Sequence, residues 1–198
     1  ISEGQDSLAG LDLPAFYTGA RQGGAERGQV AHLVMERLSL DVPPDRSGVQ
    51  FQLDMMVKQK ILRPEQRELV REEDIVRFFA GSLGQRLLDA FRQGCLRREV
   101  PFTRNVNVTE LYPHLTGKVA AGESILLQGV IDCLLVEEDG LVIIDYKTDR
   151  LTENHLMEVV KRYRVQVELY SRAASAILQQ PVKERYLYFF ALNRAVAV

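Results

Sequence analysis

The stretch GVIDCLLVEEDGLVIIDYKTD, Gly129 to Asp149, carries two aspartates and a lysine at spacings that could combine their chemistry. Side chains alternate along a strand, so Leu141, Ile143, Asp145 and Lys147 are expected on one face and Val142, Ile144 and Tyr146 on the other. In the preceding run Asp132 is expected on a face with Val130 and Leu134. If Asp139-Gly140 is a two-residue turn, Glu138 pairs with Leu141 and Asp132 falls opposite Lys147. Asp145 is then diagonal to Asp132, with side chains roughly 5–8 Å apart. A bulge in the turn would shift this register by one residue. Two carboxylates about 5 Å apart repel by about 3 kcal/mol at an effective dielectric near 20, a cost that a divalent cation or a lysine reverses. Hard oxygen ligands suit Mg²⁺ or Mn²⁺. A water on such an ion, beside an ammonium group, is suited to attacking a phosphodiester. The competing reading is a structural Asp–Lys salt bridge, the commoner fate of an isolated D-x-K. The metal reading is favoured here by the apolar run LVII before Asp145 and by the second Asp in the neighbouring strand.

Positioning these groups needs a framework, and the sequence predicts one. Val30, Leu33, Val34 and Leu38 recur at helical spacing, so Ala25–Leu40 reads as an amphipathic helix stopped by Val42-Pro43-Pro44-Asp45. A second helix is expected over Val49–Leu62 and a short one from Pro64. A longer helix from Glu73 to about Phe91 is expected to run through Gly81 and Gly84. Residues 1–24 read as loop. From Leu96 the pattern turns to strand, and Thr103–Glu123 reads as an irregular connection. Ser124–Glu137 and Leu141–Thr148 form the hairpin, Asn154–Leu178 a long helix, and Lys183–Leu192 a last strand. Leu156, Val159, Val160, Tyr163, Val167 and Ile177 are expected on the buried side of that long helix. The fold class is thus α/β, a mixed central sheet with flanking helices: residues 1–94 form a helical part carrying His32 and residues 95–198 an α/β core within one domain.

Composition bounds the function. The chain has 198 residues, 46% of them hydrophobic and 26% charged, with a net charge of -2, so a continuous core can be buried and a basic nucleic-acid coat is absent. A basic groove balanced by carboxylates elsewhere remains compatible with that charge. No apolar run approaches the length of a bilayer-spanning helix. Cys95 and Cys133 form no C-x-x-C pair and cannot make a four-cysteine site, and their number suggests a reducing cytoplasm. The start at Ile1 reads as an excision from a longer chain. No G-x-x-x-x-G-K-[ST] occurs, so an ATP-binding motor is not expected in these residues.

Several ordered motifs resemble one family. E-R-G-x-x-x-H at Glu26–His32, G-x-x-D at Gly129–Asp132, D-Y-K-T at Asp145–Thr148 and Q-x-x-x-Y at Gln166–Tyr170 resemble those of RecB-type nucleases, a branch of the PD-(D/E)xK superfamily. The order of elements most resembles the C-terminal nuclease domain of the AddA or RexA type, found in ATP-dependent helicase/nucleases. By that resemblance His32, Asp132, Asp145 and the main-chain carbonyl of Tyr146 bind Mg²⁺ (Mn²⁺ possible). Asp132, Asp145 and Lys147 are the catalytic residues, with Lys147 orienting the attacking water, and Gln166 and Tyr170 contact substrate. Glu99 stands where related nucleases often carry an acidic residue, with a strand-surface salt bridge as the alternative.

The resemblance implies a deoxyribonuclease, exonuclease in type, acting on single-stranded DNA from unwound ends in double-strand-break repair by recombination. It further implies helicase domains in the same polypeptide, a partner that is a second helicase/nuclease subunit (AddB or RexB type), and no iron–sulfur cluster in this chain. Two alternatives stay open: a catalytically silent docking or DNA-binding module, and a stand-alone RecB-like exonuclease. Lys161, Arg162 and Arg164 could track phosphates or form an ordinary solvated face. Of Arg97 and Arg98, at most one could enter a DNA groove. Tyr186, Tyr188, Phe189 and Phe190 read as core packing.

Overall fold

The computed structural model describes residues 25–111, 117 and 122–198; the loop expected over 1–24 lies outside them. Five helices come first: α1 (Ala25–Arg37), α2 (Arg46–Lys58), α3 (Pro64–Arg67), α4 (Glu72–Ala80) and α5 (Ser82–Arg92). Strand β1 (Leu96–Asn107), a short helix α6 (Val108–Leu111), and strands β2 (Ser124–Glu137) and β3 (Gly140–Lys147) follow. Helix α7 (Glu153–Leu178) then leads to β4 (Val182–Phe189), a 3-10 turn over Phe190–Leu192 and β5 (Arg194–Ala197). The sheet order is β1-β2-β3-β4-β5. All pairings are antiparallel except β3–β4, which is parallel because α7 crosses the sheet between them.

Each face of the sheet has its own core. Val142, Ile144, Tyr146, Tyr188 and Phe190 pack under α1, α2, α4 and α5. Leu134, Leu141, Ile143, Leu187 and Phe189 pack under α7 through Leu156, Val160, Val167 and Ala173. With helices on both sides, every residue of β3 is buried, which is why its sequence is apolar on both faces. A fully buried Leu, Ile or Phe contributes about 1.5–3 kcal/mol, so Leu141, Ile143 and Phe189 hold the strand that carries Asp145 and Lys147 firmly in place.

Several expectations need correction. The helix expected over Glu73–Phe91 is two, because Gly81 adopts an extended backbone (ψ 162°) that ends α4 and starts α5. Strand β1 runs on to Asn107 into what read as an irregular connection. The last strand ends at Phe189, and β5 had no sequence signal. Ile177 is 56% exposed rather than buried. The hairpin register is also displaced. Glu137 pairs with Gly140 and Cys133 with Ile144, so the turn is Glu138-Asp139 and Gly140 is the first residue of β3. Gly140 has φ +145°, and a Cβ there would sit 2.8 Å from the Pro181 carbonyl oxygen, so glycine is required by this approach and not by the turn. The displacement is two residues, which preserves facing and brings Asp132 opposite Asp145 instead of Lys147.

Candidate active site

The cluster forms where β2 and β3 separate. Their pairing ends at Cys133 and Ile144. The next main-chain N–H on β3's inner edge, that of Tyr146, donates instead to Asp132 Oδ2 at 2.6 Å. Alternation breaks at the same place, so Asp132 does not share the expected face with Val130 and Leu134. Ile131 and Leu134 both belong to the α7 side, Cys133 belongs to the helical side, and Val130 is 40% exposed. Strand β1 breaks beside it. Leu96 packs on the helical side whereas Val100 and Phe102 pack on the α7 side, and between them Glu99 has φ +50°, a strained backbone for a non-glycine residue. Glu99 and Asp132 face each other across the two strands, between the pairs Arg98–Cys133 and Val100–Ile131. A kink in both strands thus turns two carboxylates toward one point.

Helix α1 brings the third group. His32 Nδ1 lies 3.1 Å from Asp132 Oδ1. Two contacts seat the helix. Arg98 donates to the carbonyls of Met35 and Leu38 at 2.9 and 2.7 Å, satisfying the end of α1 from the strand that holds Glu99. Gly28 comes so close to β3's end that a Cβ would meet Thr148 Oγ1 at 3.0 Å, which accounts for the glycine of E-R-G-x-x-x-H. Neither Arg97 nor Arg98 reaches a groove: Arg97 also ends on main-chain carbonyls, those of Gly94 and Leu96.

One donor atom each from His32, Glu99 and Asp132 lie within 4.8 Å of one another, a spacing that a single metal ion could bridge. Asp145 is 3% exposed, and its carboxyl is raised from its ordinary pKa by burial, against the attraction of Lys147 and with the repulsion of Asp132. Its Oδ2 lies 2.6 Å from Lys147 Nζ but has no well-aligned donor. Burial pushes the Glu99 carboxyl up to about 7, and the charge of Asp132 adds to the effect. Burial acts to lower His32, but the hydrogen bond and charge of Asp132, with the charge of Asp145, outweigh it and leave the imidazole raised. Every one of these shifts expresses a surplus of negative charge that a cation would relieve.

Lys147 is held from three sides. Besides Asp145, its Nζ donates to Gln166 Oε1 at 2.9 Å and lies 3.8 Å over the centre of the Tyr163 ring. Gln166 Nε2 donates to the Tyr170 hydroxyl at 2.8 Å, and Tyr170 packs edge-on against Phe102. A Cβ at Gly129 would lie 2.7 Å from the Phe102 ring and 3.1 Å from that of Tyr170, so the glycine of G-x-x-D makes room for this stack. The expected residues His32, Asp132, Asp145, Lys147, Gln166 and Tyr170 therefore meet. Tyr146 contributes its main-chain N–H to Asp132, while its ring is buried against Phe78 and Phe190. Sequence reasoning ranked Glu99 only as a neighbour and missed Tyr163, whose one signal was its place a helical turn before Gln166.

The D…D-x-K strand pair and its crossover helix define a class, the phosphodiester-cutting nucleases. The model of the PD-(D/E)XK nuclease superfamily matches residues 8–196, and the chain belongs to that superfamily. Its relatives are each named as the A-type subunit of an ATP-dependent helicase/nuclease. That of Pelotomaculum thermopropionicum is 45% identical over 84% of this chain and 13% of its own length. That of Moorella thermoacetica is 44% identical over 89% of this chain and 12% of its own. That of Bacillus licheniformis is 38% identical over 96% and 15%. The chain spans only these small shares of the relatives it matches.

Proposed function

We propose that this chain is a divalent-metal-dependent deoxyribonuclease that hydrolyses phosphodiester bonds of single-stranded DNA delivered by a helicase. The observation that carries the reading is the convergence of His32, Glu99 and Asp132 beside a lysine held over the same gap. The donor set fits a metal: two carboxylates and an imidazole converge, and the neighbouring Asp145 Oδ2 is buried without an aligned donor. His32, Glu99, Asp132 and Asp145 would hold Mg²⁺ or Mn²⁺, with the main-chain carbonyl of Tyr146 as a further oxygen. When bound, the ion supplies an acidified water and polarises the phosphate.

The remaining work falls to the chain's own groups. Lys147, fixed by Gln166 Oε1 and the Tyr163 ring, keeps its ammonium directed at the gap, where it orients the attacking water and offsets charge growing on the phosphate. Gln166 and Tyr170 contact the strand being cut and hold Lys147 in place. The names of the relatives support a helicase in the same polypeptide. With it they support a role in processing broken DNA ends for recombination, a partner that is a second helicase/nuclease subunit, and a cytoplasmic setting. None of the described helices is long and apolar enough to cross a membrane.

The test is cleavage of end-labelled linear and circular single-stranded DNA with Mg²⁺ or Mn²⁺, by this chain and its Asp145→Ala variant. Metal-dependent cutting that vanishes in the variant is expected, and cutting of linear but not circular strands would assign an exonuclease. Cutting that persists in the variant would sink the site. No cutting by either would favour a silent docking module, and the same assay within the complete helicase–nuclease would check that outcome.

A further inference from the structure

We propose that an arginine-lined groove next to the carboxylate cluster binds the sugar–phosphate backbone of the DNA strand, holding nucleotides beyond the one being cut. This rests on the nuclease reading above and names a second contact region for the same substrate. The groove is an open cavity of about 830 Å³ between α1, the start of α4 and the first turns of α7. Arg27, Arg71, Arg150 and Arg162 line it, against Asp149 and Glu158. The volume lies in the upper part of the range for small-molecule pockets, so it exceeds what a single phosphate needs.

Three features make it a site for a strand. First, it is continuous with the cluster. The Tyr163 ring that sits under Lys147 Nζ donates its hydroxyl to Asp149 at 3.1 Å, and Asp149 is a groove wall. On the other side, Arg27 precedes Gly28, the residue packed on Thr148. Second, the arginines divide into fixed and free. Asp74, 6% exposed, lies 3.8 Å from Arg27, 3.7 Å from Arg71 and 2.6 Å from Arg77. One buried carboxylate thus anchors three guanidinium groups and cancels only one of their charges. Arg150 and Arg162 are exposed and form no ion pair among the described residues. Third, the local balance is positive in a chain whose net charge is -2: five arginines (with Arg77) face Asp74, Asp149 and Glu158. A guanidinium fork matches two phosphate oxygens at once, so such a row recognises a polyphosphate backbone without reading bases. Of the basic residues on this part of α7, Arg162 lines the groove, whereas Lys161 and Arg164 do not.

The experiment uses this chain and a double variant, Arg150→Glu with Arg162→Glu, together with a milder Arg150→Gln, Arg162→Gln pair. Fluorescence anisotropy with labelled oligothymidylates of about 4 and about 16 nucleotides, in Ca²⁺, reads binding. Cleavage of unlabelled strands in Mg²⁺ or Mn²⁺ is read separately. The unsubstituted chain should bind the longer strand more tightly. The Glu pair should lose about tenfold or more of that gain and show a log–log salt dependence shallower by about 1 to 1.5, with the Gln pair between. Equal affinity and equal salt dependence in variant and parent would overturn the groove, as would failure of the parent to prefer the longer strand. Displacement of the longer strand by polyglutamate at lower concentration than by oligothymidylate would also overturn it, assigning the groove to an acidic protein partner. Absence of metal-dependent cleavage in the parent would instead strike at the nuclease reading, whatever the anisotropy shows.

Discussion

The two ends of the β2–β3 pair treat carboxylates in opposite ways. At the turn end, Arg86 forms paired hydrogen bonds to Glu137 (2.8 and 2.9 Å) and to Glu184 (both 2.8 Å), and Lys183 joins Glu137 and Asp139. Those hydrogen bonds hold Glu137 and Glu184 down to about 2. At the fork end, Glu99 is pushed up to about 7 and Asp145 is raised, both first by burial. The turn end is a clamp whose charges are already matched. The fork end gathers acids around one lysine and one histidine, an arrangement that stays costly until a cation arrives. Ion pairs alone therefore do not mark a functional site in this sheet; carboxylates driven away from their charged form do.

The contrast can be broken in four ways. Asp145→Ala should lower metal-dependent cleavage by about a thousandfold or more, whereas Glu137→Gln at the clamp should leave it unchanged; equal losses in a cleavage assay would erase the distinction. Arg86→Met should lower stability by about 1–2 kcal/mol, or roughly 3–6 °C in Tm by calorimetry, with cleavage at low temperature retained. Metal should act on one end only. At about ten times its Kd, Mg²⁺ or Mn²⁺ should stabilise the parent and the Arg86→Met variant alike by about 1.4 kcal/mol, and should have no such effect on Asp132→Asn.

The smallest effect is one of pH and has opposite signs at the two ends. Glu99 is raised, so in metal-free protein its penalty is absent below about 4.5 and grows as pH rises through about 7. Glu137 and Glu184 are lowered, so their contribution is present above about 4.5 and is lost as pH falls toward 2. Chemical denaturation without metal should therefore show Glu99→Gln gaining on the parent above pH 7, by on the order of 1 kcal/mol after screening of this half-exposed group. No gain would mean that Glu99 is comfortable as an anion and the fork is not short of cations.

Period-2 alternation placed Asp145 and Lys147 on one face, and helical spacing placed Gln166 and Tyr170 on another, because both follow from local backbone geometry. The register failed by two residues because Gly140 looks like a turn glycine, while its actual constraint is the Pro181 carbonyl from a distant segment. Glu99 was legible only as a neighbour, since a positive φ in mid-strand leaves no trace in R-R-E-V and reverses the facing that alternation assumes. His32 and Asp132 are 100 residues apart, and only the motif match joined them; a helix docked on a sheet edge has no sequence period. The groove's Arg27, Arg71 and Arg150 come from separate segments and were invisible for the same reason.

That separation of His32 from Asp132 has a consequence for biosynthesis. Chains emerge from the ribosome amino-terminus first, so α1 is exposed well before β2 and β3 exist. Until the hairpin and α7 have been made and docked, His32 has no carboxylate to meet and Lys147 no Gln166 to hold it. A half-made copy of this protein is therefore harmless to the DNA around it, and the capacity to cut arrives only with the finished fold.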